Sequence, residues 1–161
     1  MTQAKDVNHV QGVLLVSFLS LFFYVWGAAN LEGLMNYPFW RDMGPMMTDE
    51  NFIKLRTDHL WKIAPLLVIP FAALVLVTAT LVFVAPPFVP RWALLVILGL
   101  ELVNVLSTIF IQVPIQLQHN TQGYDLAAFD RLIVTDFWLR KVPRFVEAPF
   151  VALILWRTIF R

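Results

Sequence analysis

Four long apolar stretches constrain the fold of this sequence more than any other feature. They cover about residues 10–29, 63–84, 92–115 and 142–160. About 20 residues of α-helix cross roughly 30 Å of hydrocarbon, because each residue adds about 1.5 Å. The chain is 59% hydrophobic and only 14% charged, which excludes disorder, a coiled coil and a nucleic-acid-binding domain. We predict an all-α integral membrane protein, a single domain over residues 1–161, built as an up-down-up-down four-helix bundle.

The first apolar stretch has an alternative explanation as a cleaved signal peptide. Its length of about 20 residues exceeds the roughly 7–15 residues of a signal-peptide core. Only one lysine, Lys5, precedes it, and Gly27-Ala28-Ala29 matches a cleavage site loosely. We therefore expect this stretch to be a membrane span.

Charge and cysteine content narrow the partners and the sites that the chain can have. Its formal net charge of +1 at pH 7 gives no electrostatic reason to expect a nucleic-acid partner. The absence of cysteine excludes disulfides, thiolate zinc sites, iron–sulfur clusters and a dithiol oxidase. A metal ion would need histidine and carboxylate ligands.

The connections between the apolar stretches differ in length and composition. The first, Glu32 to Lys62, is rich in methionine and aromatic residues, and we predict a long interfacial loop that acts as a lid over a cavity or as an aromatic belt. Within it, Thr48-Asp49-Glu50 is a candidate N-cap, so helix 2 can begin well before the membrane. The proline-rich turn at residues 86–90 makes helices 2 and 3 antiparallel neighbours. Residues 126–139 predict a short amphipathic helix or an early start of helix 4.

Basic residues near the spans predict the orientation. The side with both termini carries Lys5, Arg91, Arg157 and Arg161, whereas the longer loops carry Arg41, Lys54, Arg56, Lys62, Arg131, Arg140, Lys141 and Arg144. Cytoplasmic loops of membrane proteins are enriched in lysine and arginine. We therefore predict cytoplasmic longer loops, and termini on the non-cytoplasmic side of a bacterial inner membrane.

Polar residues share one face of predicted helix 3 and one face of predicted helix 4. The helix 3 stripe is Glu101, Asn104, Thr108, Gln112, Gln116 and His119, and the helix 4 stripe is Asp136, Arg140, Arg144 and Glu147. An antiparallel arrangement brings these stripes to the same membrane side as Asn30, Glu32, Asp58, His59 and Lys62. Because ionisable residues are costly in a membrane, those present usually face the protein interior or a wet cavity.

This convergence defines the candidate site. The candidate catalytic residues are Glu32, His59 and His119, and the candidate ligand-binding residues are Glu101, Gln112, Gln116, Trp138, Arg140 and Glu147. Glu101 is either a proton acceptor or ligand group, or a protonated carboxyl bonded to Asn104 and to a neighbouring helix. Two histidines and two glutamates among these residues form a nitrogen and oxygen ligand set, but their spacing matches no metal motif. The metal and the cofactor, if any, therefore stay unknown.

A run of residues in the last third of the chain carries a family resemblance. It comprises Leu106-Ser107-Thr108, Gln112-Val113-Pro114-Ile115-Gln116, Asp125, Arg131-Leu132-Ile133, Thr135 and Phe137-Trp138-Leu139-Arg140. Over about residues 100 to 145 the chain resembles an uncharacterised family of small four-helix bacterial membrane proteins. That family is similar to the anthrone-oxygenase-like superfamily, in which V-P-x-N closes helix 3 and W-N-x-x-R opens helix 4.

The chain departs from this pattern at two places. Gln116 stands where the first element has asparagine, and residues 136–140 lack the W-N pair. The resemblance implies a shared bundle and a shared cavity at this end. Anthrone oxygenases are thought to act without metal or flavin, so the absence of cofactor motifs in this sequence does not count against the resemblance.

Three functions fit these patterns. The first is a non-catalytic subunit of a larger membrane complex or a homo-oligomer, which would use lipid-facing aromatic surfaces and small residues such as Gly27, Ala28 and Gly99. The alternative is an anthrone-oxygenase-like membrane enzyme that binds an apolar aromatic or quinone-like molecule near one leaflet. The third is a small transporter or channel along the helix 3 stripe. In each case the lipid bilayer is a partner and nucleic acid is not.

Overall fold

Four helices make up the computed structural model, which describes residues 8–160. Helix 1 covers His9–Met46, helix 2 Asp49–Val84, helix 3 Arg91–Gln122, and helix 4 residues 126–159. No strand occurs in the described part of the chain. Helices 1, 2 and 3 are long and apolar enough to cross a membrane. The apolar part of helix 4, Val142–Ile159, contains three charged residues, so this fourth span stays a prediction.

A π-helical turn interrupts three of the four helices. These turns are Glu32–Asn36 in helix 1, Thr108–Gln112 in helix 3 and Phe137–Lys141 in helix 4. They separate the α-helical segments His9–Leu31 and Tyr37–Met43, Arg91–Ser107 and Val113–Gln122, and Leu126–Asp136 and Val142–Ile159. A π turn inserts residues into the helical repeat, which changes the direction in which the following side chains point, and such turns occur frequently at functional sites.

The predicted long loop between helices 1 and 2 is wrong, because its residues are helical. Helix 1 continues to a 3-10 turn at Gly44–Met46, and helix 2 begins at Asp49. The predicted N-cap is confirmed: the Thr48 hydroxyl accepts a hydrogen bond from the Asn51 amide at 3.4 Å. Tyr37, Trp40 and Phe52 of this segment are buried and pack into one core, whereas Phe39 and Trp61 are exposed.

Helix 4 starts early, as one of the two sequence interpretations proposed. Asp125 caps it, since its carboxylate accepts hydrogen bonds from the Ala127 and Ala128 amides at 2.9 and 3.3 Å. The helix then continues through its π turn to Ile159. The polar stripe from Asp136 to Glu147 therefore lies on one continuous helix.

Two apolar cores lie on either side of a layer of buried polar residues. The first core contains Phe18, Phe22, Leu74, Leu81, Leu94, Ile97, Val151 and Ile154, and the second contains Tyr37, Trp40, Phe52, Ile115, Phe129 and Leu132. Along helices 3 and 4, the buried residues between the two cores are Glu101, Asn104, Ser107, Gln112, Asp136, Lys141, Arg144 and Glu147. Buried polar groups are costly unless they are paired, so this layer is the part of the fold most suited to a site.

Helices that follow each other in the chain pack against each other, with contacts at both ends of helix 1. Helix 1 packs on helix 2, helix 2 on helix 3, and helix 3 on helix 4. Near the start of helix 1, the Gln11 amide donates to the Val84 carbonyl at 2.9 Å. Near its other end, the Trp40 ring meets the Phe52 ring edge to face at 6.1 Å.

A candidate ligand-binding cavity

A cavity of about 230 Å³ lies among the helices beside the polar layer. Most of its wall is apolar and comes from helix 1 between Tyr24 and Ala29 and from helix 2 between Leu60 and Phe71. Its polar lining residues are Glu32, Tyr37, Asn104, Thr108, Gln116, Arg140 and Arg144. An apolar cavity of about 150 Å³ suffices for benzene, so this one has room for a substituted ring.

The Tyr37 hydroxyl is the centre of the polar lining. It accepts hydrogen bonds from Gln116 Nε2 at 3.2 Å and from Arg140 Nη1 at 3.3 Å. A phenol accepts such bonds on its oxygen and keeps one proton to donate. Within residues 8–160 nothing accepts that proton, and Tyr37 is only 1% exposed. The cavity therefore contains a buried hydrogen-bond donor without a protein partner.

Arg140 is held in place by helix 4 itself. Its guanidinium lies 3.0 Å from Asp136 Oδ1, one turn earlier, and Lys141 Nζ lies 3.5 Å from Asp136 Oδ2. Asp136 and Lys141 are buried. One carboxylate thus fixes two cations, which orients Arg140 toward Tyr37.

The π turn of helix 1 lies against the π turn of helix 4. A Cβ on Gly33 would overlap the Asp136 carboxylate and approach Lys141 Cε to 2.6 Å. The next residue toward the N-terminus, Glu32, is buried, lines the cavity and accepts a hydrogen bond from Asn36 Nδ2. Glycine at position 33 therefore allows the close helix approach that places Glu32 and Arg140 on the same cavity.

A second polar group lies in the same layer, formed by Glu101, Thr78, Arg144 and Glu147. Thr78 Oγ1 lies 3.1 Å from Glu101 Oε1, and Arg144 Nη1 lies 3.7 Å from Glu147 Oε2. One of the two predictions for Glu101 included a bond to Asn104. That bond does not occur among the described residues, where Asn104 Nδ2 donates to the Leu100 carbonyl. The partner that a neighbouring helix supplies to Glu101 is Thr78 of helix 2.

His59 and His119 belong to an aromatic cluster away from the cavity wall. His119 is buried, stacks on Phe129 at 3.9 Å between ring centroids, and has its Nδ1 3.4 Å from the Gly123 carbonyl. The His59 ring meets the Trp40 ring at 5.6 Å. Neither histidine lines the cavity. Their catalytic role stays a prediction, and their position outside the cavity wall does not support it.

The same cluster holds a buried arginine that the sequence analysis assigned only to topology. The Arg56 guanidinium lies 5.6 Å from the ring centroids of both Trp40 and Phe129. Such cation–π contacts stabilise a guanidinium that has left water. Near this cluster, burial raises the pKa of Tyr124, whose hydroxyl donates to the Arg41 carbonyl at 2.8 Å.

The remaining predicted site residues have separate environments. Trp138 is 62% exposed, and its ring meets the Phe137 ring at 5.3 Å between centroids. Gln112 is buried, with Nε2 donating to Thr135 Oγ1 at 3.0 Å, and does not line the cavity. Between residues 8 and 160 there is no group of three histidine or acidic side chains arranged to hold a metal ion. Of the nine predicted site residues, Glu32, Gln116 and Arg140 line the cavity together.

Sequence reasoning missed Tyr37 as a site residue. In the sequence analysis Tyr37 was one of the aromatic residues of the predicted loop. The direction of its side chain depends on the π turn that precedes it, which the sequence pattern did not predict. Asn104, Thr108 and Arg144 also line the cavity. Their position on the two polar stripes was the signal that would have found them.

Comparison with known proteins adds no relative, since no family model, no curated protein and no solved structure matches this chain. The resemblance described for about residues 100 to 145 therefore stays a prediction. The functional argument depends on the geometry of the cavity.

Proposed function

We propose that this protein is a multi-pass integral membrane protein, an up-down-up-down four-helix bundle, whose cavity binds an apolar aromatic or quinone-like molecule. The observation that carries the proposal is the free hydroxyl proton of Tyr37 in a cavity with mostly apolar walls. Pockets that combine apolar walls with a few convergent polar groups are typical of small-molecule sites.

The chemistry of the lining selects the ligand class. The Tyr37 proton suits a carbonyl oxygen of the ligand, while Gln116 and Arg140 hold the phenol in position. The apolar body of the ligand packs against Leu67 and Phe71. A quinone-like compound combines a ring carbonyl with an apolar body.

Access from the lipid supports a ligand that dissolves in the membrane. Trp61 and Leu66 line the cavity and are nevertheless 75% and 58% exposed, so the cavity wall is also part of the outer surface. We expect the ligand to enter between helices 1 and 2. The orientation inferred from the basic residues, with both termini on the non-cytoplasmic side of the inner membrane, completes the proposal, although Lys5 and Arg161 lie outside the described residues.

An anthrone-oxygenase-like enzyme is the catalytic form of this proposal. Glu32 is its candidate general base, because its buried carboxylate lines the cavity close enough to Tyr37 to interact with it electrostatically. A general base must lie within hydrogen-bond reach of its substrate, directly or through one water. His59 and His119 are not assigned a role here, because they lie outside the cavity.

The subunit role is the second candidate. Phe83 and Phe110 are 77% and 71% exposed, and outward-facing aromatic residues of this kind suit a partner helix as well as lipid. Purification from the native membrane tests it: a co-purifying protein at fixed stoichiometry would support the subunit role, and a chain that always migrates alone would contradict it.

The binding test uses detergent-purified protein and decylubiquinone as the probe. Bound small molecules are first extracted and identified by mass spectrometry. Probe binding is then followed by quenching of the intrinsic tryptophan fluorescence, to which Trp61 in the cavity wall contributes. We expect saturable quenching, with an affinity about fivefold weaker in Tyr37→Phe, because one hydrogen bond is worth about 1 kcal/mol.

The control is Trp138→Phe, which changes an exposed residue outside the cavity and should leave the affinity unchanged. A second variant, Ala64→Phe, fills the cavity and should abolish binding without touching the polar lining. Equal affinity in the wild type, Tyr37→Phe and Ala64→Phe would exclude this cavity as the binding site.

A further inference from the structure

Thr78 contacts a backbone carbonyl and the Glu101 carboxyl group at the same time. Thr78 Oγ1 lies 2.8 Å from the Leu74 carbonyl one turn earlier and 3.1 Å from Glu101 Oε1. A hydroxyl has one proton to donate, and a carbonyl oxygen can only accept. The Leu74 carbonyl is the nearer acceptor, so a separate hydrogen bond between Thr78 and Glu101 requires that Glu101 donates the proton.

The charges around Glu101 favour the same state. From helix 2 the polar residue facing it is Thr78, and the charged residues that interact with it, Arg144 and Glu147, come from helix 4. Arg144 already pairs with Glu147 at 3.7 Å. One guanidinium balances one carboxylate, so a second carboxylate would have no counter-ion, and an unpaired buried charge is very costly.

The remaining oxygen of Glu101 fits a neutral acid as well. Glu101 is 0% exposed, and its Oε2 has no hydrogen-bond partner among the described residues. An unpartnered carbonyl oxygen is far less costly to bury than an unpartnered ionised oxygen.

We propose that Glu101 is a neutral carboxylic acid and forms a proton-binding site that exchanges its proton through the cavity. Two of its neighbours in the polar layer line the cavity: Asn104, one turn further along helix 3, and Arg144, which pairs with Glu147. The site thus holds a proton beside a cavity that faces the lipid. The proposal uses the cavity geometry and is independent of which ligand the cavity binds.

Infrared spectroscopy of the purified full-length protein tests this directly. A protonated carboxylic acid has a C=O stretching band above the amide I band, and an ionised carboxylate does not. We expect such a band at neutral pH in the wild type, its loss in Glu101→Gln, and its retention in Glu50→Gln, which changes an exposed carboxylate. A wild-type spectrum without a band that Glu101→Gln removes would overturn the proposal.

A second variant tests the hydrogen bond between Glu101 and Thr78. Thr78→Val removes the acceptor of the Glu101 proton, so the band should persist and move to higher wavenumber. If Thr78 instead donated to an ionised Glu101, no band would be present to move. Valine has nearly the shape of threonine, so we expect this variant to fold. The variant also keeps the Glu101 carboxyl group, whose band is measured.

Hydrogen–deuterium exchange tests whether the Glu101 proton exchanges through the cavity. Transfer into D2O should shift the band to lower wavenumber, and this shift should be slower in Ala29→Phe, which narrows the cavity. A band that never shifts in D2O, or that shifts equally fast in Ala29→Phe, would overturn the route through the cavity.

Discussion

Tyr24 on helix 1 donates its hydroxyl proton to the Leu66 carbonyl on helix 2 at 3.2 Å. That carbonyl would normally accept from the residue four positions later, which is Pro70 and has no amide proton. In the membrane interior, a freed carbonyl must be satisfied by a neighbour.

The Tyr24 bond should stabilise the protein only while Pro70 is present. We expect Tyr24→Phe to cost about 1–2 kcal/mol of unfolding free energy, since it leaves a carbonyl unsatisfied. In a Pro70→Ala background the alanine amide satisfies Leu66, and the same change should cost much less. Unfolding of the four variants in detergent measures this coupling. Equal costs in both backgrounds would contradict the compensation.

Gly33 should tolerate no side chain. We expect Gly33→Ala to destabilise the protein by about 1–3 kcal/mol, because the added carbon overlaps Asp136 and Lys141. Gly27→Ala and Gly99→Ala are matched controls, since a Cβ at either position meets nothing within 4 Å. These controls should be neutral or stabilising by up to about 1 kcal/mol, as alanine favours helix. Thermal unfolding in detergent compares the three, and an equal shift in all would rule out the close approach.

Loss of the Asp136 carboxylate should be far more costly than loss of a surface acid. Asp136→Ala leaves Arg140 and Lys141 without their shared partner, and breaking a buried pair in this way costs about 3–5 kcal/mol. The comparison is Asp130→Ala, which removes the exposed partner of Arg41 and should cost about 1 kcal/mol or less. Denaturant titration of both variants measures the difference. Similar midpoints for the two would show that the Asp136 pair adds little.

The absence of cysteine makes the chain suitable for single-cysteine mapping of topology. We expect Glu50→Cys and Gln122→Cys to react with a membrane-impermeant maleimide in inverted vesicles, and Pro87→Cys to react in intact cells. The three positions are exposed and lie at the helix ends. Labelling of Pro87→Cys from the same side as Glu50→Cys would contradict the up-down arrangement. The reverse sidedness for all three would instead invert the orientation.

Much of the fold follows from local sequence signals, because those signals act over a few residues. Thr48 and Asp125 cap helices through contacts with amides two or three positions away, and the Thr48 cap was predicted from the sequence. The helix 3 stripe follows from the 3.6-residue repeat, and Glu101 and Asn104, which precede the π turn, are buried as that repeat requires. The predicted loop failed because Tyr37 and Phe52 were interpreted by composition, whereas their burial depends on packing between helices.

The sequence by itself determined the helical class, the apolar stretches and the faces that carry polar residues. Only the tertiary structure decided which of those residues meet. The π turns redirect the side chains that follow them, and the close approach at Gly33 joins Glu32 and Arg140 in one cavity while His59 and His119 pack elsewhere. The physical reason is that helical periodicity is a local property. The position and direction of Tyr37 against Gln116 and Arg140 result from contacts between residues far apart in the chain.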